Sequence, residues 1–217
     1  MAANRLFIGT KRYSSWSLRG WLAVHLAGLQ VEEVLIPLAG GNTPAIREAT
    51  PAGLVPYLEH EGARIWETLA ICEYCAEHRP ALWPADRVAR AWARAVSSEM
   101  HAGFRGLRMA MPMNLGRDFA GRGRTPDALA DIARVQAIWT ECLAASGGPF
   151  LFGEVFGAAD AMFAPVVTRF LTYGVALEAA PAAYAAAVRA HPLVARWYAE
   201  AAAEPAAWLQ AGYENPA

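Results

Sequence analysis

The segment Tyr13-Ser14-Ser15-Trp16-Ser17-Leu18-Arg19 gathers hydroxyls where a short apolar run gives way to a helical one. A helix N-terminus carries unpaired N–H groups and a partial positive charge, so it stabilises an anion placed against it. A thiolate is the demanding case, since lowering a thiol by two units from about 8.5 takes about 2.7 kcal/mol. The helix terminus contributes about 0.3–1 kcal/mol, up to about 2 in good geometry, and a hydrogen bond to a charged group about 1.5–3. Neither comfortably reaches the requirement alone; together they do. The hydroxyl would donate to the sulfur and leave its proton to solvent, because an unactivated serine is too weak a base. A serine here is also the ordinary N-cap of a helix, so the cluster by itself leaves both readings open.

A second group follows in Ala52-Gly53-Leu54-Val55-Pro56, a loop entering a hairpin, with Glu67-Thr68 opening a helix about a dozen residues later. That order offers Val55 backbone groups to an extended peptide, a second anion site at the helix start, and a Glu67 carboxylate for an ammonium. Further along, Met100, Phe104, Leu107 and Met111 fall on one helical face, and His101, Arg105 and Arg108 recur on another. The basic stripe is either a solvated face or a cleft wall; in the second case it favours a substrate carrying a carboxylate. Gly103 and Gly106 within this helical pattern leave room for a ligand or a closely packed helix.

The elements that must position these groups alternate at first. Arg5 to Gly9 reads as a strand, Ser17 to Ala27 as a helix, Glu33 to Ile36 as a strand, and Pro44 to Ala49 as a short helix. Pro56–His60 and Ala63–Trp66 flank Glu61-Gly62 as a hairpin, and Glu67 to His78 is helical. Pro80 and Pro84 then break the pattern, which places a linker at 80–85 between an α/β domain at 1–79 and an all-helical domain at 86–217. Helices are expected near 86–112, 126–146, 158–173, 181–190 and 192–203. Gly157 with Asp160 makes half a capping box, so Asp160 is assigned to folding.

Bulk composition narrows the functional class. The 217 residues balance 19 basic against 20 acidic side chains, which gives no field for gathering nucleic acid or an anionic membrane surface. The chain has no apolar stretch of spanning length and no signal-peptide core near its start, so a cytoplasmic protein acting on small molecules is expected. Cys72, Cys75 and Cys142 are an odd set suited to a reducing compartment. Cys72 and Cys75 have a C-x-x-C spacing, yet they lie inside a helical pattern with no second ligand pair, so no metal is expected.

The chain resembles the cytosolic glutathione transferases. SSWSLRGWL is similar to the serine signature SSCSxRVRIAL of the zeta class, which includes maleylacetoacetate isomerase; ATPAGLVPYL resembles the family's NPxGKVPxL loop, ETLAICEYC its ESxAIxxYL segment, and FGAADAMFAP its SxADxxxxP motif. The resemblance implies a thioredoxin-like α/β N-terminal domain plus an all-α C-terminal helical bundle, glutathione as co-substrate, a small electrophilic second substrate, and a homodimer. It implies that Ser14 hydrogen-bonds the glutathione sulfur, with Ser15 and then Tyr13 as alternatives. By the same likeness Val55, before a cis Pro56, pairs with the cysteinyl backbone, and Leu54 beside it borders glutathione with one side-chain contact fewer than the usual polar residue makes. Glu67 and Thr68 hold the γ-glutamyl end, while Tyr13, Trp16, His101, Arg105 and Arg108 border the second substrate. Trp16 stands where the zeta signature has cysteine, Leu54 where a polar residue is usual, and Gly157 where Ser or Thr caps the helix. A non-catalytic binding module on the same fold is the alternative, and a disulfide-exchange enzyme lacks a cysteine in SSWS. Eight tryptophans exceed a minimal core, and an exposed cluster of them would mark an interface.

Overall fold

The computed structural model describes residues 4–216; the outer domain limits at 1 and 217 lie outside them. Strand β1 (Arg5–Gly9) is followed by α1 (Ser15–Ala27), β2 (Glu32–Ile36), α2 (Pro44–Ala49), β3 (Tyr57–His60), β4 (Ala63–Trp66) and α3 (Thr68–His78). The sheet order is β2-β1-β3-β4, with β1 parallel to β2 and antiparallel to β3, and β3 antiparallel to β4. Alternation along β1 buries both faces of the sheet. Leu6 and Ile8 join the large core under α1 and α3, while Phe7 meets Ile36, Ile46 and Tyr57 under α2. Helix α1 ends at Gly28, whose left-handed φ of 74° suits a residue without Cβ.

The second half is helical: α4 (Arg87–Ala102), α5 (Arg105–Ala110), α6 (Pro126–Ser146), α7 (Ala158–Thr172), α8 (Ala179–Ala190), α9 (Pro192–Ala202) and α10 (Ala211–Glu214). Helix α7 is buried almost throughout and packs against α1, which joins the α/β layer to the bundle. Asp160 at its start is buried and accepts from the N–H groups of Gly157 at 2.9 Å and Leu151 at 3.0 Å. No helix among the described residues is long and apolar enough to cross a membrane.

One expectation is corrected. The helix anticipated over 86–112 is two helices, because the chain turns at Gly103 and Phe104 adopts a left-handed φ of 59°. The apolar set Met100, Phe104, Leu107 and Met111 is buried all the same, reached from two axes. Gly106 serves a close helix: a Cβ there would stand 2.6 Å from the Asp127 backbone at the start of α6. Nor do the tryptophans form an exposed cluster. Trp21, Trp139 and Trp197 have no exposed surface, and Trp66 is the exposed one at 46%. Cys72, Cys75 and Cys142 are buried free thiols, and burial pushes those of Cys75 and Cys142 up to about 12, so they stay protonated.

An ionic knot joins the two layers beside the start of α1. Buried Lys11 reaches Glu33 of β2 at 2.7 Å and also Glu200 of α9, between the rings of Trp21 and Trp197. Burial would raise the Glu33 carboxyl, but hydrogen bonds from His25, Lys11 and Trp21 outweigh it and bring it down to about 2. The unfolded chain therefore binds this proton more readily, and the Glu33 contribution is present above pH 4.5 and lost as pH falls toward 2. Glu33→Gln is expected to lower stability at pH 7 by on the order of 2–3 kcal/mol and to flatten the acid limb in this window, measured by urea unfolding between pH 2 and 7.

Candidate active site

Ser14 is the N-cap of α1. Its Oγ accepts from the Ser17 N–H at 3.3 Å and donates to Ser17 Oγ at 2.7 Å, which itself accepts from the Gly9 N–H at 2.9 Å. The fully buried Ser17 thus anchors the Ser14 hydroxyl to β1. Ser14 and Ser15 line a cleft of about 630 Å³ whose walls also include Trp16, Leu54, Val55, Arg108, Arg169 and Tyr213. A larger groove of about 740 Å³ lies around the Pro80–Pro84 linker and contains none of these residues.

Tyr13 contributes its ring to the cleft but not a free hydroxyl. The phenol donates to Glu214 at 2.6 Å, accepts from the Gln210 N–H at 3.3 Å, and its ring stacks on Tyr213 at 4.7 Å. Burial and the Glu214 carboxylate push it up to about 12. Glu214 is held in turn by Asn114 and Arg117.

An adjoining cavity of about 340 Å³ shares Trp16, Leu54 and Val55 with the cleft and adds Pro56, Trp66, Glu67, Thr68 and His101. The Val55–Pro56 peptide is cis, and the paired register of β3 begins at Tyr57, so Val55 lies outside the sheet ladder. Gly20 of α1 packs on this loop so closely that a Cβ would stand 2.7 Å from Pro56. Glu67 holds a left-handed φ of 70° immediately before α3, a conformation costly for a side-chain-bearing residue and frequent at ligand clamps. Thr68, the first residue of α3, is buried. His101 lies with its Nε2 3.5 Å from Glu67 and its ring edge-on to Trp16; burial lowers its pKa despite that carboxylate.

Of the arginines behind the cleft, the sequence singled out Arg108 for chemistry but not Arg19 or Arg169. Arg169 of α7 is buried, donates to Met111 and Pro165 carbonyls, and reaches Ser15 Oγ at 3.3 Å. Arg19 has no exposed surface; its Nε donates to the Met162 carbonyl at 2.7 Å, and its two terminal nitrogens meet no partner among the described residues. Arg108 donates to the carbonyls of Met100, His101 and Gly103, closing the end of α4, and its guanidinium lies 4.5 Å from the Trp16 ring centroid, with that of Arg19 at 4.8 Å. Burial first, and mutual repulsion second, lower Arg19 well below its usual value and Arg169 to about 10. A lone arginine in the apolar run AMFAPVVTRFLTYG was the available signal for Arg169, since a guanidinium there must find partners. Arg105, on the same short helix as Arg108, is exposed and lines neither cavity.

Residues 13–78 match the family profile described as "Glutathione S-transferase, N-terminal domain", and residues 85–200 match "Glutathione S-transferase, C-terminal domain". The chain belongs to the glutathione S-transferase family. Among curated relatives it is 37% identical over 94 residues to glutathione S-transferase L3 of Arabidopsis thaliana, a match spanning 39% of this chain and 40% of that protein. It is 29% identical over 174 residues to the maleylacetoacetate isomerase of Rattus norvegicus, covering 77% of this chain and 78% of the relative. Among solved structures, a glutathione transferase homologue from Burkholderia with bound glutathione superposes with a TM-score of 0.72 at 21% identity, covering 94% of this chain and all of that one. The maleylacetoacetate isomerase of Anaeromyxobacter dehalogenans gives 0.66 at 24% identity over 96% and 97%. These structures share the thioredoxin-like domain and the helical bundle.

Because the Tyr13 proton is committed to Glu214, Tyr13→Phe is expected to leave the thiolate fraction of protein-bound glutathione unchanged and to cost about 1 kcal/mol of stability. Ultraviolet thiolate titration and urea unfolding on the same preparation measure both.

Proposed function

We propose that this protein is a glutathione transferase that ionises the glutathione thiol for attack on, or reversible addition to, a small electrophile. The observation that carries the reading is the capped start of α1 opening on a cleft backed by cationic side chains. Ser14 donates to the sulfur, giving up its bond to Ser17, and Ser15 stands beside it. The helix terminus and the nearby guanidiniums of Arg108 and Arg169 add electrostatic stabilisation of the sulfur anion. Val55 pairs with the cysteinyl backbone, next to Leu54, and Glu67 and Thr68 hold the γ-glutamyl end in the adjoining cavity. Residues 1–79 form the glutathione-binding unit, 80–85 the linker and 86–217 the wall for the second substrate.

The second substrate is an electrophile bearing a carboxylate, because the far wall of the cleft offers guanidinium groups without a carboxylate among its lining residues. Trp16 lines the cleft where a zeta enzyme has cysteine, so the substrate profile differs from that class. A cytoplasmic homodimer is the working state, supported by the family's habit and by three unpaired cysteines; sedimentation at twice the protomer mass checks the dimer.

Ser14→Ala is expected to raise the pKa of bound glutathione by about one to two units and to lower kcat/KM for conjugation by tenfold or more at pH 7. An unchanged thiolate titration removes Ser14 from this role. Arg108→Met is expected to raise KM for carboxylated electrophiles by about tenfold relative to a neutral electrophile, a ratio that a general folding defect does not move. Equal losses for both substrates would count against the anionic class.

A further inference from the structure

At the other end of the β3–β4 hairpin from the cis-proline loop, three metal-ligating side chains meet. His60 closes β3, Glu61 begins the turn with a positive φ of 50°, and His78 is the last residue of α3. One donor atom from each lies within 4.8 Å of the other two. We propose that His60, Glu61 and His78 form a binding site for one divalent transition-metal ion of the zinc type, apart from the glutathione cleft.

The donor set fits such an ion. Two imidazoles and one carboxylate match the borderline softness of Zn²⁺, whereas Mg²⁺ and Ca²⁺ prefer oxygen-rich cages. Bonds of about 2.0–2.2 Å in tetrahedral geometry bring donors to about 3.4 Å apart. The present spread closes by side-chain rotation, because Glu61 and His78 are exposed at the turn and the helix end, while His60 is buried at 5% exposure and fixed. His60 is already oriented: its Nδ1 lies 2.9 Å from the Tyr74 hydroxyl, the arrangement in which a second partner holds a ligating ring in place. Tyr74 is one turn before His78 on α3, with ring centroids 4.9 Å apart, and the His60 and His78 rings stand at 89°. Three protein ligands leave further positions to water on the open side.

His60 lies four residues along the strand from Pro56, about 13 Å in an extended chain. The ion therefore ties the hairpin tip to the C-terminal end of the helix whose N-terminal end carries Glu67 and Thr68. Its effect is on the stability of this unit, since an ion bound only by the folded state raises the unfolding free energy by mass action.

The test uses the full chain without an affinity tag, stripped with EDTA and free of glutathione, titrated calorimetrically with Zn²⁺ and separately with Mg²⁺. One equivalent of Zn²⁺ per chain, a rise in Tm with Zn²⁺, and no response to Mg²⁺ are expected. His78→Ala and Glu61→Ala, both at exposed positions and checked for folding by circular dichroism, are each expected to weaken Zn²⁺ binding by about tenfold or more. Co²⁺ substitution is expected to give visible bands without thiolate charge transfer. Absence of Zn²⁺ binding at micromolar concentrations, unchanged binding in His78→Ala, or a thiolate band that places the metal on cysteine would overturn the assignment.

Discussion

The structure turns on how the loop between β1 and α1 is held. Lys11, Arg12 and Tyr13 are gripped from the far end of the chain: the Lys11 and Arg12 N–H groups donate to Glu204, Trp197 donates to the Lys11 carbonyl, and Tyr13 meets Glu214. The next residue is Ser14. A side chain that must hold one direction into the cleft needs a fixed backbone, and here that backbone is fixed by carboxylates on the helical domain. The helical half is thus a wall of the cleft and also the clamp on the loop that carries Ser14.

The cationic set behind the cleft acts against stability. Arg19, Arg108 and Arg169 repel one another, and a buried N–H left without a partner costs about 1–3 kcal/mol. Packing recovers part of this, since the Trp16 ring lies against two of the guanidiniums and each of the three arginines donates to at least one backbone carbonyl. Positive charge held in a low-dielectric wall is ill suited to a neutral ligand and well suited to an anion.

Local pattern made much of the frame legible. The hairpin follows from Glu61-Gly62, the end of α1 from Gly28, and the short α2 from Pro44, each a residue whose backbone preference acts within a few positions. The break after α4 was hidden because Met100, Phe104, Leu107 and Met111 keep helical spacing across it; the apolar period reports burial, and the left-handed Phe104 changes the axis without changing which residues are buried. Of the residues singled out from sequence, Ser14, Ser15, Trp16, Leu54, Val55 and Arg108 border one cleft and Glu67, Thr68 and His101 the cavity beside it, while Arg105 faces solvent. The partners of Tyr13 could not be read locally, because nothing near position 13 signals a carboxylate at 214.

That separation of 201 positions bears on biogenesis. A polypeptide leaves the ribosome N-terminus first, and a domain can begin folding during synthesis. The sheet can assemble early from neighbouring strands, yet the segment bearing Ser14 stays unclamped until almost all of the bundle has emerged. A nascent intermediate would thus hold the thioredoxin-like scaffold with the Ser14 segment not yet fixed, and this wall of the cleft is completed only once Glu214 has been added.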